Sequence, residues 1–109
     1  MPMQTRVLAR VVAYDPDAEK ILLVRNKGAD YWYAPGGGWE CERETIEQCA
    51  IREVREETGL AVRLKRLLYL QEFHAKEDVI FFETFWLAVP ERTSTLHAGH
   101  PDADPQGQV

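Results

Sequence analysis

One hundred and nine residues and 12.5 kDa suffice for one domain and leave no room for a second core. With 45% hydrophobic and 28% charged residues the chain can bury a core and stay soluble, which argues against wholesale disorder and against a fibrous class. Eighteen acids against 13 bases leave a formal charge of −5, the wrong sign for a protein that grips a nucleic-acid polymer by neutralising its phosphates.

The excess charge is concentrated. Seven acids and three bases stand between Glu40 and Glu57, a net of −4 that leaves only −1 for the rest of the chain. Cys41 and Cys49 are the only cysteines, too few for the disulfide framework of a small secreted domain. The start, Met1 to Arg6, runs straight into an alternating segment with no apolar leader, and no apolar run approaches the ~18 residues of a membrane span. Cytoplasmic residence with no membrane partner is therefore the expectation.

Val7 to Tyr14 and Ile21 to Arg25 are short β-branched and aliphatic runs separated by the turn-rich Asp15-Pro-Asp-Ala-Glu, which predicts a hairpin. Tyr31 to Pro35 is aromatic and brief, and it leads into Gly36, Gly37 and Gly38, read as a loop in which no side chain blocks a close approach. Thr45 to Thr58 has helical spacing, with Thr45 and Gln48 as a capping box and Gly59 at the stop. Val62 to Phe73 and Val79 to Val89 predict two further strands joined by the polar His74 to Asp78. The second is apolar on both faces, which suits a central, covered strand. The resulting division is a domain over residues 1–90 and a polar loop or flexible tail over 91–109, without repeats or low-complexity blocks.

The predicted helix changes character halfway along. Ile46, Cys49 and Ala50 share one side, as a face packed on a sheet should, but that stripe continues into Glu53, Glu56 and Glu57. Like charges at i, i+4 repel by ~0.2–0.5 kcal/mol, and acids in the last turn oppose the helix dipole. A solvated acidic face partnered by Arg52 and Arg55 is the bland reading. A hard divalent cation, Mg²⁺ or Mn²⁺, removes both penalties, and Mg²⁺ keeps waters that a substrate phosphate can replace. The glycines before the helix then let backbone approach the metal or the phosphates, with Gly38 the candidate to supply a carbonyl or amide.

Gly38, then five residues, Glu44, then seven, then Arg52-Glu53-Val54-Arg55-Glu56-Glu57-Thr58-Gly59-Leu60 resembles a complete Nudix box, and the approach segment Tyr31 to Gly37 is also similar to that family. The resemblance implies an α/β/α sandwich, an α+β arrangement in which the box helix packs on a mixed sheet. It implies hydrolysis of a nucleoside diphosphate linked to another moiety, with water attacking phosphorus and Mg²⁺ (or Mn²⁺) held by carboxylates. Glu53, Glu56 and Glu57 would be ligands, helped by the backbone of Gly38, and Glu44 and Arg52 would form a supporting ion pair. Glu53 is the nominee for general base, although family members place that base in the box or on a later loop. The implied partner is a nucleotide-derived small molecule, and a homodimer stays open.

Two departures qualify the match. Gly-Gly-Gly-Trp-Glu-Cys-Glu-Arg, between Pro35 and Glu44, is one residue longer than the commonest spacing, and Arg43 stands where a glycine usually precedes the box glutamate. Family domains usually continue with another strand and a closing helix, so the chain reads as incomplete at its C-terminus, and a further ligand or base would lie beyond it. The competing readings are a nucleotide-binding module without turnover and an inactive fragment.

Other candidates carry less. Glu83, between Phe81 and Phe85, reads as a capped or edge-exposed glutamate ahead of an extra ligand or base. Tyr31, Trp32, Tyr33, Trp39 and Phe73 are read mostly as core, with one or two near a ligand. Arg25 and Lys27 meet phosphates or solvent. Cys41 and Cys49 lack partners at zinc spacing, Cys49 reading as helix packing, and His97 and His100 are read as loop residues. No segment after the box resembles an accessory motif for a particular substrate.

Overall fold

The computed structural model describes residues 2–91. The predicted tail over 91–109, with His97 and His100, falls almost wholly outside those residues. In chain order the elements are β1 (Gln4–Asp15), β2 (Lys20–Leu22), β3 (Gly36–Gly38), α1 (Ile46–Thr58), β4 (Val62–Lys76) and β5 (Val79–Pro90). The strands form one mixed sheet in the order β2-β1-β5-β4, with β3 also paired to β1. Only β1 and β5 run parallel, from Gln4 opposite Val79 to Ala13 opposite Ala88; the remaining pairs are antiparallel.

Local chemistry sets the ends. In the β1–β2 turn the Asp15 carboxylate accepts from the amides of Asp17 and Ala18 at 3.0 and 3.3 Å, and Glu19 takes the left-handed φ of 54° that brings the chain back. Thr45 caps α1 as expected, its hydroxyl accepting from Gln48 N at 3.1 Å while the Gln48 side chain accepts from Thr45 N at 2.9 Å. Gly59 closes the helix at φ 77°, its N–H donating to Arg55 O. Thr45→Ala should lower stability by about 1 kcal/mol, measured as a shift in the urea midpoint at constant slope.

The core lies between α1 and one face of the sheet. Ala9, Val11 and Ala13 of β1, Ala88 of β5, and Cys49, Ala50 and Val54 of α1 are all buried, with Ile46, Leu64 and Trp86 packed at the rim. Most of these side chains are small, so helix and sheet approach closely. The buried stripe of α1 thus continues through Val54 and Thr58 rather than ending at Ala50. Thr58 is fully buried and satisfied within its own turn: its hydroxyl donates to Val54 O at 2.7 Å and accepts from Leu60 N at 3.1 Å.

Three expectations change. The glycine run is a strand, β3, with Gly36, Gly37 and Gly38 opposite Arg10, Ala9 and Leu8, while the aromatic segment before it makes only the single bridge Val24–Tyr33. β5 is central but only half covered. Of its residues only Ala88 is buried, because α1 covers one face and the other is open among the described residues. Tyr31, Trp32, Trp39 and Phe73 are exposed rather than core, and Tyr33 is partly buried.

The open face has its own order. Tyr69 of β4 stacks on Phe85 of β5 at 4.4 Å between centroids, and Phe73 lies over Phe81 at 6.3 Å. Between these ring pairs Gln71 stands opposite Glu83, and Leu8 of β1 is the parallel partner of Glu83.

Candidate functional site

The box residues gather where α1 passes beneath β3. Arg52 is the hub: its Nε and Nη2 each donate to Glu44 at 2.8 Å, a two-pronged pair, while Nη1 donates to Glu53 and Glu56 at 3.1 Å. Nη2 also reaches Gly38 O at 3.3 Å. Glu44 is further held by the amide of Glu40 at 3.1 Å, and Trp39 Nε1 donates to Glu44 O at 2.8 Å. The Arg52 guanidinium holds the Glu44 carboxyl at about 2, well below the usual carboxylate range, and the same hydrogen bonds push Arg52 upward. The loop between β3 and α1 is thereby tied to the helix.

The three carboxylates of the acidic stripe are not equivalent. Glu56 is 56% exposed and turned to Arg52, whereas the Glu53 side chain is only 15% exposed and lies under Gly37. Glu57 accepts its only hydrogen bond among the described residues from Gly36 N, at 3.3 Å. Burial raises the carboxyls of both Glu53 and Glu57, and that of Glu57 reaches about 7. Two half-buried carboxylates therefore face a strand of three glycines without enough hydrogen bonds to hold their charge. Among the described residues no three His, Cys, Asp or Glu side chains are grouped as metal ligands would be. Glu56 and the Gly38 carbonyl are occupied by Arg52 instead.

Packing explains the glycines. A Cβ on Gly36 would stand 2.0 Å from Ala9 O and 2.7 Å from Arg10 Cα, both backbone, and one on Gly37 would stand 2.3 Å from Glu53 Oε2. Gly38 meets nothing within 4 Å, and its carbonyl faces Arg52 and the Cys49 thiol. Cys49 is buried there, and desolvation pushes its thiol up to about 12, so it packs rather than reacts. Gly36→Ala should separate β3 from β1 and lower the melting temperature by several degrees, whereas Gly38→Ala should leave it nearly unchanged.

Beside Glu57 opens a cleft of about 360 Å³, bounded by Arg10, Tyr33, Gly36, Gln71, Glu83 and Phe85 among others. Sequence reasoning reached Glu83 but not Arg10 or Gln71, which join it only through strand pairing across long chain separations. Arg25 lies outside this cleft, its guanidinium 4.7 Å over the Trp32 ring, and Lys27 is exposed. No helix among the described residues is long and apolar enough to cross a membrane.

Comparison with known proteins gives one consistent family. The model described as "NUDIX domain" matches residues 4–106. A stretch of 52 residues is 44% identical to the ADP-ribose pyrophosphatase of Methanocaldococcus jannaschii, covering 45% of this chain and 30% of that protein. Another of 62 residues is 42% identical to "nucleoside diphosphate-linked moiety X motif 6" of Xenopus laevis, covering 55% of this chain and 28% of that protein. The matches thus span less than a third of these relatives. Among solved structures, the E. coli ORF135 protein superposes with a TM-score of 0.69 at 23% identity, over 87% of this chain and 69% of that one. A UDP-X diphosphatase superposes at 0.70 and 22% identity, over 99% and 48%. Likeness at that identity shows the shared fold.

Proposed function

Because the chain belongs to the NUDIX family, we propose that it hydrolyses the diphosphate bond of a nucleoside diphosphate joined to another moiety, with the help of a divalent cation. The observation that carries this is the pair of half-buried carboxylates, Glu53 and Glu57, raised by burial and set against the glycine strand. The donor set fits a hard cation such as Mg²⁺ or Mn²⁺, being made of carboxylate and backbone oxygens in a partly dry setting. Glu53 and Glu57 would hold it, Glu56 would join on leaving Arg52, and the Gly38 backbone would complete the protein's share. Bound there, the cation supplies Lewis-acid activation of water and neutralises phosphate charge.

The chain's own groups do the rest. Gly36 N–H orients Glu57, and the Glu44–Arg52 fork fixes the loop onto the helix so that carboxylates and glycines keep their spacing. Of the acidic-stripe carboxylates that Arg52 contacts, Glu53 is less exposed than Glu56, and it would accept the proton of the attacking water. The relatives named for ADP-ribose and nucleoside diphosphate-linked substrates support a nucleotide-derived small molecule as the substrate class.

The test is product release from a panel of ADP-ribose, nucleotide sugars, dinucleoside polyphosphates and nucleoside triphosphates, with Mg²⁺ and with EDTA. Metal-dependent cleavage of at least one supports the proposal. Binding without cleavage anywhere in the panel replaces it with a nucleotide-binding module.

A further inference from the structure

We infer that Arg10 is a phosphate anchor of the substrate cleft, held in place by Glu83 and Gln71, and that it takes the diphosphate chain from the side away from the box helix. The inference rests on the proposed nucleoside diphosphate substrate and deepens it. Arg10 donates through Nε to Glu83 Oε2 at 3.1 Å, and Gln71 Nε2 donates to the other Glu83 oxygen at 2.8 Å. The carboxylate is thus pinned from two strands, and it pins the guanidinium in turn. The two terminal amino groups of Arg10 donate to no protein acceptor among the described residues, while the guanidinium carbon lies 5.7 Å over the Tyr33 ring. A guanidinium fixed at Nε with its remaining donors unspent is a preset fork for two phosphate oxygens.

Placement gives the fork its purpose. Arg10 lines the cleft together with Glu57, Gly36, Tyr33 and Phe85, so one ligand can meet Arg10, the box carboxylate Glu57 and two rings at once. Within that cleft Arg10 faces Glu83 and Glu57, and it is the only Lys or Arg among the described residues that line it. About 360 Å³ lies within the range of small-molecule sites. The alternative is that Arg10 merely neutralises a glutamate on a half-open sheet face. That role would not require Gln71 to bind the second oxygen, and it would make Arg10 dispensable whenever Glu83 is neutral.

The experiment is calorimetric binding of the α,β-methylene analogues of ADP, GDP, CDP and UDP, whose bridging carbon blocks cleavage, to the whole chain in Mg²⁺. The four parent nucleosides serve as phosphate-free controls. Wild type should bind at least one analogue, and Arg10→Ala should weaken it about 10- to 100-fold while changing nucleoside binding less than about 2-fold. Arg10→Lys should recover only part of the loss, because it restores charge but not the fork. The double variant Arg10→Met/Glu83→Gln should stay as weak as Arg10→Ala. Between the two neutral variants, Glu83→Leu should bind about 3- to 10-fold more weakly than Glu83→Gln, since only Gln offers Nε an acceptor. Equal binding by Arg10→Ala and wild type, restoration in the double variant, or failure of wild type to bind any analogue would overturn the inference. If Arg10 dependence is seen and no substrate is ever cleaved, the hydrolase reading falls and the anchor stands.

Discussion

Glu57→Gln should lower turnover of any substrate the chain cleaves by about 100-fold or more while leaving the fold at least as stable as wild type. The two halves of this expectation have one cause. Burial beside β3 raises the Glu57 carboxyl from 4.5 to about 7, so its charge is a burden to the protein alone and an asset once a cation is bound. In the unfolded chain the group ionises near 4.5, whereas in the folded chain it keeps its proton to about 7. Its contribution to stability is therefore full below 4.5 and is lost as pH rises through 7. A metal-free melting curve should show that loss in wild type and a smaller one in Glu57→Gln. Wild-type turnover in the variant at saturating Mg²⁺ would remove Glu57 from the site.

Arg52→Ala should be the most damaging single change to stability among the charged box residues, costing about 2–3 kcal/mol at neutral pH. One guanidinium satisfies Glu44, Glu53, Glu56 and the Gly38 carbonyl, and no other cation among the described residues is hydrogen-bonded to any of them. The pH dependence has the opposite sign to that of Glu57. Glu44 falls from 4.5 to about 2 in the folded state, so the pair's contribution is present above 4.5 and is lost as pH falls toward 2. Urea unfolding at pH 7 and pH 3 should show the gap between wild type and variant narrowing in acid. A gap that stays constant would mean that Arg52 supports the loop through packing alone.

The parts of this fold that could be read from the sequence are those fixed by near neighbours. Thr45, Gln48 and Gly59 act within one turn of the helix they bound, so α1 and its caps are visible in the residues themselves. The hairpins around Asp15 and Glu77-Asp78 are local in the same way. The acidic stripe was legible as an anomaly and, through its spacing, as a resemblance to a family.

What was hidden depends on the sheet. β3 is a strand of three glycines with no propensity of its own; it exists because the absence of Cβ atoms lets the chain lie against Ala9 and Arg10. Val54 and Thr58 extend the buried stripe one step round the helix, which leaves Glu53 and Glu57 at its edge and Glu56 outside it. β5 reads as doubly covered because it is apolar on both sides. In the fold its open-face rings are met by Tyr69 and Phe73 from the neighbouring strand instead of by a second layer. Arg10 and Gln71 are unremarkable in the sequence, and strand register alone assembles them into a unit with Glu83.

The most direct measurement is Mn²⁺ binding followed by electron paramagnetic resonance, which counts free ion without requiring a substrate. One tight Mn²⁺ per wild-type chain, lost or weakened at least tenfold in Glu53→Gln and in Glu57→Gln and strengthening as pH rises through 7, is the result expected of carboxylates that exchange a proton for a metal. Equal Mn²⁺ affinity in wild type and both variants would show that the glutamates beneath the glycine strand do not bind the cation.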